Sequence, residues 1–265
     1  MDSIDSTIRN LATLWKKSGV ESGDTLLLHS SIKRTIMRIR RQGVKLMPEH
    51  ILESFIRAVG ESGTLILPLF NFDFQNSKHF DIQTTPSQMG VLTEIGRHHQ
   101  SSVRTGHPIY SFAVLGNNSE IFRDIDNESG YGADSPFSML TSLNGKIASL
   151  DLEDQNSMTF YHYVEEMNQV DYRYFKEFSG SYVDVNGVSS KRTYKLFVRD
   201  LERDVRTYVN PAGELMWQHN LYSGDRPGVD SGLRTIHAKK MFDFVTQLII
   251  DGNAEGTLFK YGDEA

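Results

Sequence analysis

The chain has 265 residues, no cysteine and a formal net charge of −6. Disulfides, thiolate metal sites and a cysteine nucleophile are therefore excluded, and the negative balance argues against general nucleic-acid binding. With 38% hydrophobic and 23% charged residues, the chain reads as a globular protein able to bury a substantial core.

The first residues, Met1-Asp2-Ser3-Ile4-Asp5, lack the cationic and apolar regions of a signal peptide. No run approaches the roughly 20 apolar residues of a membrane span, so a cytoplasmic protein without a membrane partner is expected. Ile8, Leu11, Leu14 and Trp15 recur at helical spacing, and Gly19 follows as a stop. Gly23-Asp24 marks a turn, and Thr25-Leu26-Leu27-Leu28-His29-Ser30 reads as a short buried strand. Pro48 suits a first helical position, with Ile51, Leu52, Phe55 and Val59 as the apolar stripe and Gly60 and Gly63 at its end. Thr64-Leu65-Ile66-Leu67-Pro68 is a second apolar strand. Residues 71–86 form a polar and aromatic loop, long enough to suggest function. A helix over 87–99 follows, then strands near 109–115 and 146–152, with a helix opening at Ser135-Pro136 between them.

Past residue 172 the pattern changes. Residues 182–188 alternate and end in Asn186-Gly187, a hairpin signal, and 194–199 alternate again. A last helix spans 236–250. The expected fold is α/β, a largely parallel central sheet flanked by helices, with an antiparallel β annex in the C-terminal third. The natural division is a core of 1–171 and an annex with its C-terminal helix over 172–265, unless both form one continuous domain.

The most informative stretch is Thr159-Phe160-Tyr161-His162-Tyr163-Val164-Glu165-Glu166, read as the first turns of a helix. His162 stands three residues before Glu165 and four before Glu166, so an imidazole and a carboxylate share a helical face. Such a pair can serve as a general base near neutral pH, although the spacing is common by chance.

Other blocks accompany it: Gly23-Asp24-Thr25-Leu26-Leu27-Leu28-His29-Ser30-Ser31-Ile32, Gly63-Thr64-Leu65-Ile66-Leu67-Pro68, Met89-Gly90, Arg104-Thr105-Gly106-His107-Pro108-Ile109-Tyr110-Ser111-Phe112 and Asp134-Ser135-Pro136-Phe137. In this order and spacing, residues 20–170 resemble the aminoglycoside 3-N-acetyltransferase family. The resemblance implies acetyl-coenzyme A as donor, a primary amine of an amino sugar as acceptor, and an α/β fold. His162 would then be the base and Glu165 its orienting acid, with Glu166 as the i,i+4 alternative. Ser30 and Ser31 fall in the segment that contacts the donor in the family. Their backbone N–H groups, freed at a strand end, could face the thioester oxygen, or the two serines could simply cap the next element. Lys33 and Arg34, with Arg38, Arg40, Arg41 and Lys45, could meet the donor's phosphates or form a solvated face. Ser135, with Phe137 beside it, marks a helix start that could present N–H groups to the donor. The resemblance places His107 near the donor too, although a structural imidazole is the alternative. Thr159, at the start of the His162 helix, joins the donor contacts. Asp73 and Glu166 are candidates for the acceptor.

No metal is expected, because His98 and His99 are adjacent and no His-Glu-x-x-His pattern occurs. Three functions compete. A polycationic aminoglycoside calls for carboxylates such as Asp73, Glu153, Asp154 and Glu166. A nucleotide-linked amino sugar calls for cations, and Lys191, Arg192, Lys195, Arg199, Arg203 and Arg206 supply a patch, diluted by neighbouring acids. A non-catalytic sugar-binding protein is the third. The oligomeric state stays open, a homodimer included.

Overall fold

The computed structural model describes residues 4–262. The chain runs α1 (Ile4–Lys17), β1 (Thr25–Ser30), α2 (Lys33–Arg41), α3 (Pro48–Val59), β2 (Thr64–Pro68), α4 (Phe74–Ser77), β3 (His79–Asp81), α5 (Val91–Arg97), β4 (Val103–Arg104), β5 (Phe112–Gly116), α6 (Pro136–Ser142) and β6 (Lys146–Leu150). It continues through α7 (Phe160–Met167), β7 (Arg173–Val183), β8 (Ser189–Arg199), β9 (Val205–Thr207), α8 (Asn210–Gln218), β10 (Ser223–Gly224), β11 (Leu233–His237), α9 (Ala238–Ile250) and β12 (Phe259–Tyr261).

Among the described residues the main sheet has seven strands in the order β10-β11-β6-β1-β2-β5-β4. Strands β6, β1 and β2 pair in parallel at its centre. Only β5 and β11 run against the common direction, so the sheet is mostly parallel, as the sequence led one to expect. The central strands are almost continuously apolar because both faces are covered. Leu26 and Leu28 join a cluster with Trp15 and Phe55 on one face, whereas Leu27, Ile66 and Ile147 join Phe137, Phe160 and Val164 on the other. On the first face α1 packs against α3, Trp15 stacks on Phe55 at 4.7 Å between ring centroids, and Trp15 Nε1 donates to Ser54 Oγ at 2.8 Å. On the second, α6, α7 and α9 pack together.

Some elements depart from the sequence reading. The helix expected over 87–99 begins only at Val91, since Gly90 precedes it at φ +110°, a conformation that favours glycine. Residues 71–86 hold one helical turn, α4, and the short strand β3, which pairs in parallel with β7. The basic stretch after Ser31 is the helix α2. Residues 223–237 return to the main sheet as β10 and β11, beyond β6. The annex is the long antiparallel hairpin β7–β8, with Asn186-Gly187 in its loop and Gly187 at φ +77°. No described helix is long and apolar enough to cross a membrane.

Candidate active site

Helix α7 sets the centre of the site. Phe160 and Val164, one turn apart, are fully buried and fix which face meets the core. The i,i+3 spacing then brings His162 Nδ1 to 2.8 Å from Glu165 Oε2, so the pair expected from the sequence is formed. A third group joins them from the first residue of β7. Arg173 Nε lies 2.8 Å from the same carboxylate oxygen, and its Nη2 lies 2.8 Å from His162 Nδ1. Arg173 Nη1 donates to the Phe197 carbonyl, which ties the guanidinium to β8. Nδ1 thus faces an acceptor and a donor at equal distance, and the position of the imidazole proton decides which it bonds.

The side chains of Glu165 and Arg173 are 1% and 5% exposed, against 20% for His162. Burial works against ionisation of Glu165, but Arg173 and the His162 hydrogen bond outweigh it and hold its pKa below the usual carboxylate value. For His162, burial first and the Arg173 charge second lower the pKa, against the pull of Glu165. The imidazole is therefore neutral at pH 7. Its Nε2 has no partner among the described residues, and the Tyr131 ring meets the imidazole edge to face at 5.3 Å.

His162 stands where two cavities meet. The larger, about 510 Å³, lies under the β7–β8 hairpin and is walled by Tyr110, Tyr131, Phe178 and Phe197. The smaller, about 170 Å³, runs toward the end of β1 and includes His29, Phe70, residues 154–159 and Val209. Phe72, Tyr110 and Thr207 border both. A third cavity of about 480 Å³ opens beyond the end of β1, against α2, and is lined by Ser31, Lys33, Arg34, Arg38, Arg41 and Asp151.

The other residues expected at the site divide sharply. Thr159 borders the smaller cavity, and Ser31, Lys33 and Arg34 border the basic one. Arg34 is anchored by Asp151 at 2.8 Å, and Arg38 Nη1 donates to the Asp230 carbonyl at 2.7 Å. Ser30 ends β1 and lines none of these three cavities. The N–H of Ser31 is not free as expected. It donates to the Leu150 carbonyl at 2.8 Å, because the ladder with β6 continues one residue past the strand end.

His107, Ser135 and Phe137 border neither His162 cavity and are almost completely buried. His107 Nδ1 accepts from the backbone N–H groups of Ile109 and Tyr110, which shapes the turn that carries Tyr110 to the site. Burial lowers its pKa to about 3. Phe137 packs against Phe112 and Phe160 in the core. Asp73 faces a separate cavity with Asn71, Asn76 and Pro86. Glu166 accepts from Ser129 Oγ at 2.7 Å, and burial raises its pKa despite that bond.

Several site residues carried no signal of their own in the sequence. Arg173 follows Glu165 by eight residues across an element boundary, a spacing that implies no contact. His29 stands in the stretch 23–32, yet only the fold aims it at the smaller cavity, where its Nε2 is buried without a partner. Burial, then the Arg234 charge, lowers its pKa to about 3, so it is a neutral donor or acceptor. Beneath that cavity Asp154 accepts from Tyr161 Oη at 2.8 Å and Tyr222 Oη at 2.6 Å and pairs with Arg234 at 2.7 Å.

A neutral imidazole, held by a buried carboxylate and open at Nε2, can accept a proton from a nucleophile brought against it. The sequence model of the aminoglycoside 3-N-acetyltransferase family matches residues 27–249, and the chain belongs to that family. A curated relative, the SPbeta prophage-derived aminoglycoside N(3')-acetyltransferase-like protein YokD of Bacillus subtilis (strain 168), is 24% identical over 173 residues. That match spans 57% of this chain and 61% of the relative's length. Among solved structures, AAC-IIIb in a binary complex with CoASH has a TM-score of 0.76 at 18% identity, covering 99% of both chains. The aminoglycoside acetyltransferase AAC(3)-Xa has a TM-score of 0.74 at 20% identity, covering 97% of this chain and 94% of its own. At these identities the structural matches speak for the fold.

Proposed function

We propose that this protein transfers an acetyl group from acetyl-coenzyme A to a primary amine of an amino sugar, by direct attack, with His162 as general base and Glu165 as its orienting acid. One observation carries the reading: His162 is held at Nδ1 by a buried carboxylate while Nε2 is left open where two cavities meet. Family membership supports the choice of chemistry, and the coenzyme A complex of AAC-IIIb supports the choice of donor.

The productive tautomer carries its proton on Nδ1, donated to Glu165 in a charge-assisted bond. Nε2 then presents a lone pair to the acceptor. As the amine nitrogen bonds to the thioester carbon, its proton passes to Nε2, and the imidazolium is stabilised by Glu165. Collapse of the tetrahedral intermediate breaks the carbon–sulfur bond. The imidazolium proton goes to the departing sulfur, which yields the amide and free coenzyme A. No acyl-enzyme is needed.

The basic cavity against α2 suits the donor's phosphates, with Lys33 and Arg41 available and Arg34 and Arg38 braced. From there the pantetheine arm would pass Ser30 and Ser31 and reach Thr159 and His29. The unpartnered His29 Nε2 is a better candidate than the Ser31 N–H for polarising the thioester carbonyl. His107, Ser135 and Phe137 act by packing beneath the site. A donor drawn from the metabolic acetyl-coenzyme A pool implies a cytoplasmic reaction.

The test is thiol release from acetyl-coenzyme A in the presence of amino-sugar amines. His162→Ala should lower kcat at least about 100-fold. A variant that keeps wild-type turnover would refute the base assignment.

A further inference from the structure

The larger cavity narrows the acceptor class, granted that His162 is the base. A polycationic acceptor calls for carboxylates, and none of the four carboxylates suggested by the sequence lines this cavity. Asp73 and Glu153 face other cavities. Asp154 is committed to Arg234, Tyr161 and Tyr222, and Glu166 to Ser129. No Asp or Glu is among the lining residues at all, whereas three cations are: Arg173, Lys176 and Arg199.

Arg173 is neutralised by Glu165. Lys176 and Arg199 are exposed on the hairpin, and neither forms an ion pair among the described residues; the Lys176 ammonium lies only over the Phe178 ring, at 5.6 Å. The hairpin register also sets Arg199 directly opposite Arg173. Arg199 therefore has no carboxylate across from it on the paired strand. The acids next to them in sequence, Glu177 and Asp200, do not line this cavity and form no ion pair with either cation among the described residues. Asp126 pairs with Arg192, Glu128 with Lys195 and Asp204 with Arg206.

We infer that the acceptor is an amine that also carries a phosphate or diphosphate, held by Arg199 and Lys176 while its nitrogen meets His162. Two unpaired cations against an aromatic wall attract an anion more strongly than they would in open water, since the wall excludes solvent from one side. A polycationic aminoglycoside would meet repulsion in the same place. The aromatic rings suit the apolar face of a sugar, or a base if the phosphate belongs to a nucleotide.

The deciding experiment measures binding by titration calorimetry with coenzyme A saturating, so that the donor's own phosphates are accounted for. The probes are glucosamine, glucosamine 6-phosphate, uridine diphosphate glucosamine and gentamicin, each against wild type and a Lys176→Glu/Arg199→Glu variant. Both positions are exposed, so the variant should fold and keep its affinity for coenzyme A. At least one phosphorylated amine should bind wild type at least about tenfold more tightly than glucosamine or gentamicin, and the variant should lose that margin. Which one wins separates a simple sugar phosphate from a nucleotide-linked sugar. Gentamicin binding more tightly than both phosphorylated amines, or a margin untouched by the double substitution, would overturn the inference. So would a variant that instead loses coenzyme A, which would assign the cations to the donor. Thiol release reads the base separately. A phosphorylated amine that binds with the expected margin yet is not acetylated would count against the His162 mechanism and leave the acceptor class standing.

Discussion

Replacing Glu165 by Gln separates its two roles, orienting His162 and neutralising Arg173. The substitution keeps the shape and removes the negative charge at a side chain that is 1% exposed. Arg173, 5% exposed, then stays buried with its Phe197 carbonyl bond and no counter-charge. Breaking one side of a buried ion pair costs about 3–5 kcal/mol. For a chain of this size that corresponds to a fall in Tm of roughly 6–20 °C. Activity should suffer for a different reason. Without the carboxylate, Nδ1 keeps at best a weaker, neutral amide oxygen as acceptor, Arg173 Nη2 remains within reach to donate to it, and the proton shifts toward Nε2, the atom that must accept. A wrong tautomer and an unsupported imidazolium should lower kcat by at least about 100-fold. The Glu165→Gln/Arg173→Met double variant decides between the roles. It removes both buried charges, so thermal unfolding should show most of the lost stability restored, while kcat stays at least about 100-fold down. Activity that returned together with stability would mean that Glu165 is only a counter-ion, and the orienting role would be refuted.

Other expectations follow from the same geometry. Because burial and Arg173 hold the His162 pKa below 6.5, and only the neutral ring accepts a proton, kcat/KM should be undiminished by His162 at pH 7 and fall as pH drops through a value under 6.5. Arg173→Met removes a cation from beside the ring, so its acid limb should move upward; an unchanged limb would contradict the electrostatic account. Lys33→Ala and Arg41→Ala should raise the KM for acetyl-coenzyme A and weaken its salt dependence with little change in kcat, and steady-state kinetics at two ionic strengths will test this. Asp154→Asn leaves Arg234 buried without a counter-charge and should cost about 3–5 kcal/mol by denaturant unfolding. A loss below about 1 kcal/mol would show that the tyrosine hydroxyls alone sustain that network.

Much of the architecture was legible along the chain because its signals are local. Helix periodicity with a proline start and glycine stop marked α3, continuous apolar runs marked β1 and β2, and Asn186-Gly187 marked the hairpin tip. The His162–Glu165 contact was legible for the same reason, since an α-helix turns any i,i+3 pair onto one face. What surrounds that pair could not be read in this way. Arg173 and Arg199 reach the site only because β7 and β8 pair across a long hairpin and lie over α7, and the alternation of a strand does not say which sheet or cavity it will face. The closing of the Ser31 N–H by Leu150 and the return of β11 to β6 depend on pairings more than eighty residues apart in sequence. The chain by itself thus determined the elements and the one imidazole–carboxylate pair whose geometry is built into a single helix. The tertiary structure alone decided the charge of the cavity under the hairpin, because that charge is the sum of side chains whose proximity arises only when distant segments pack.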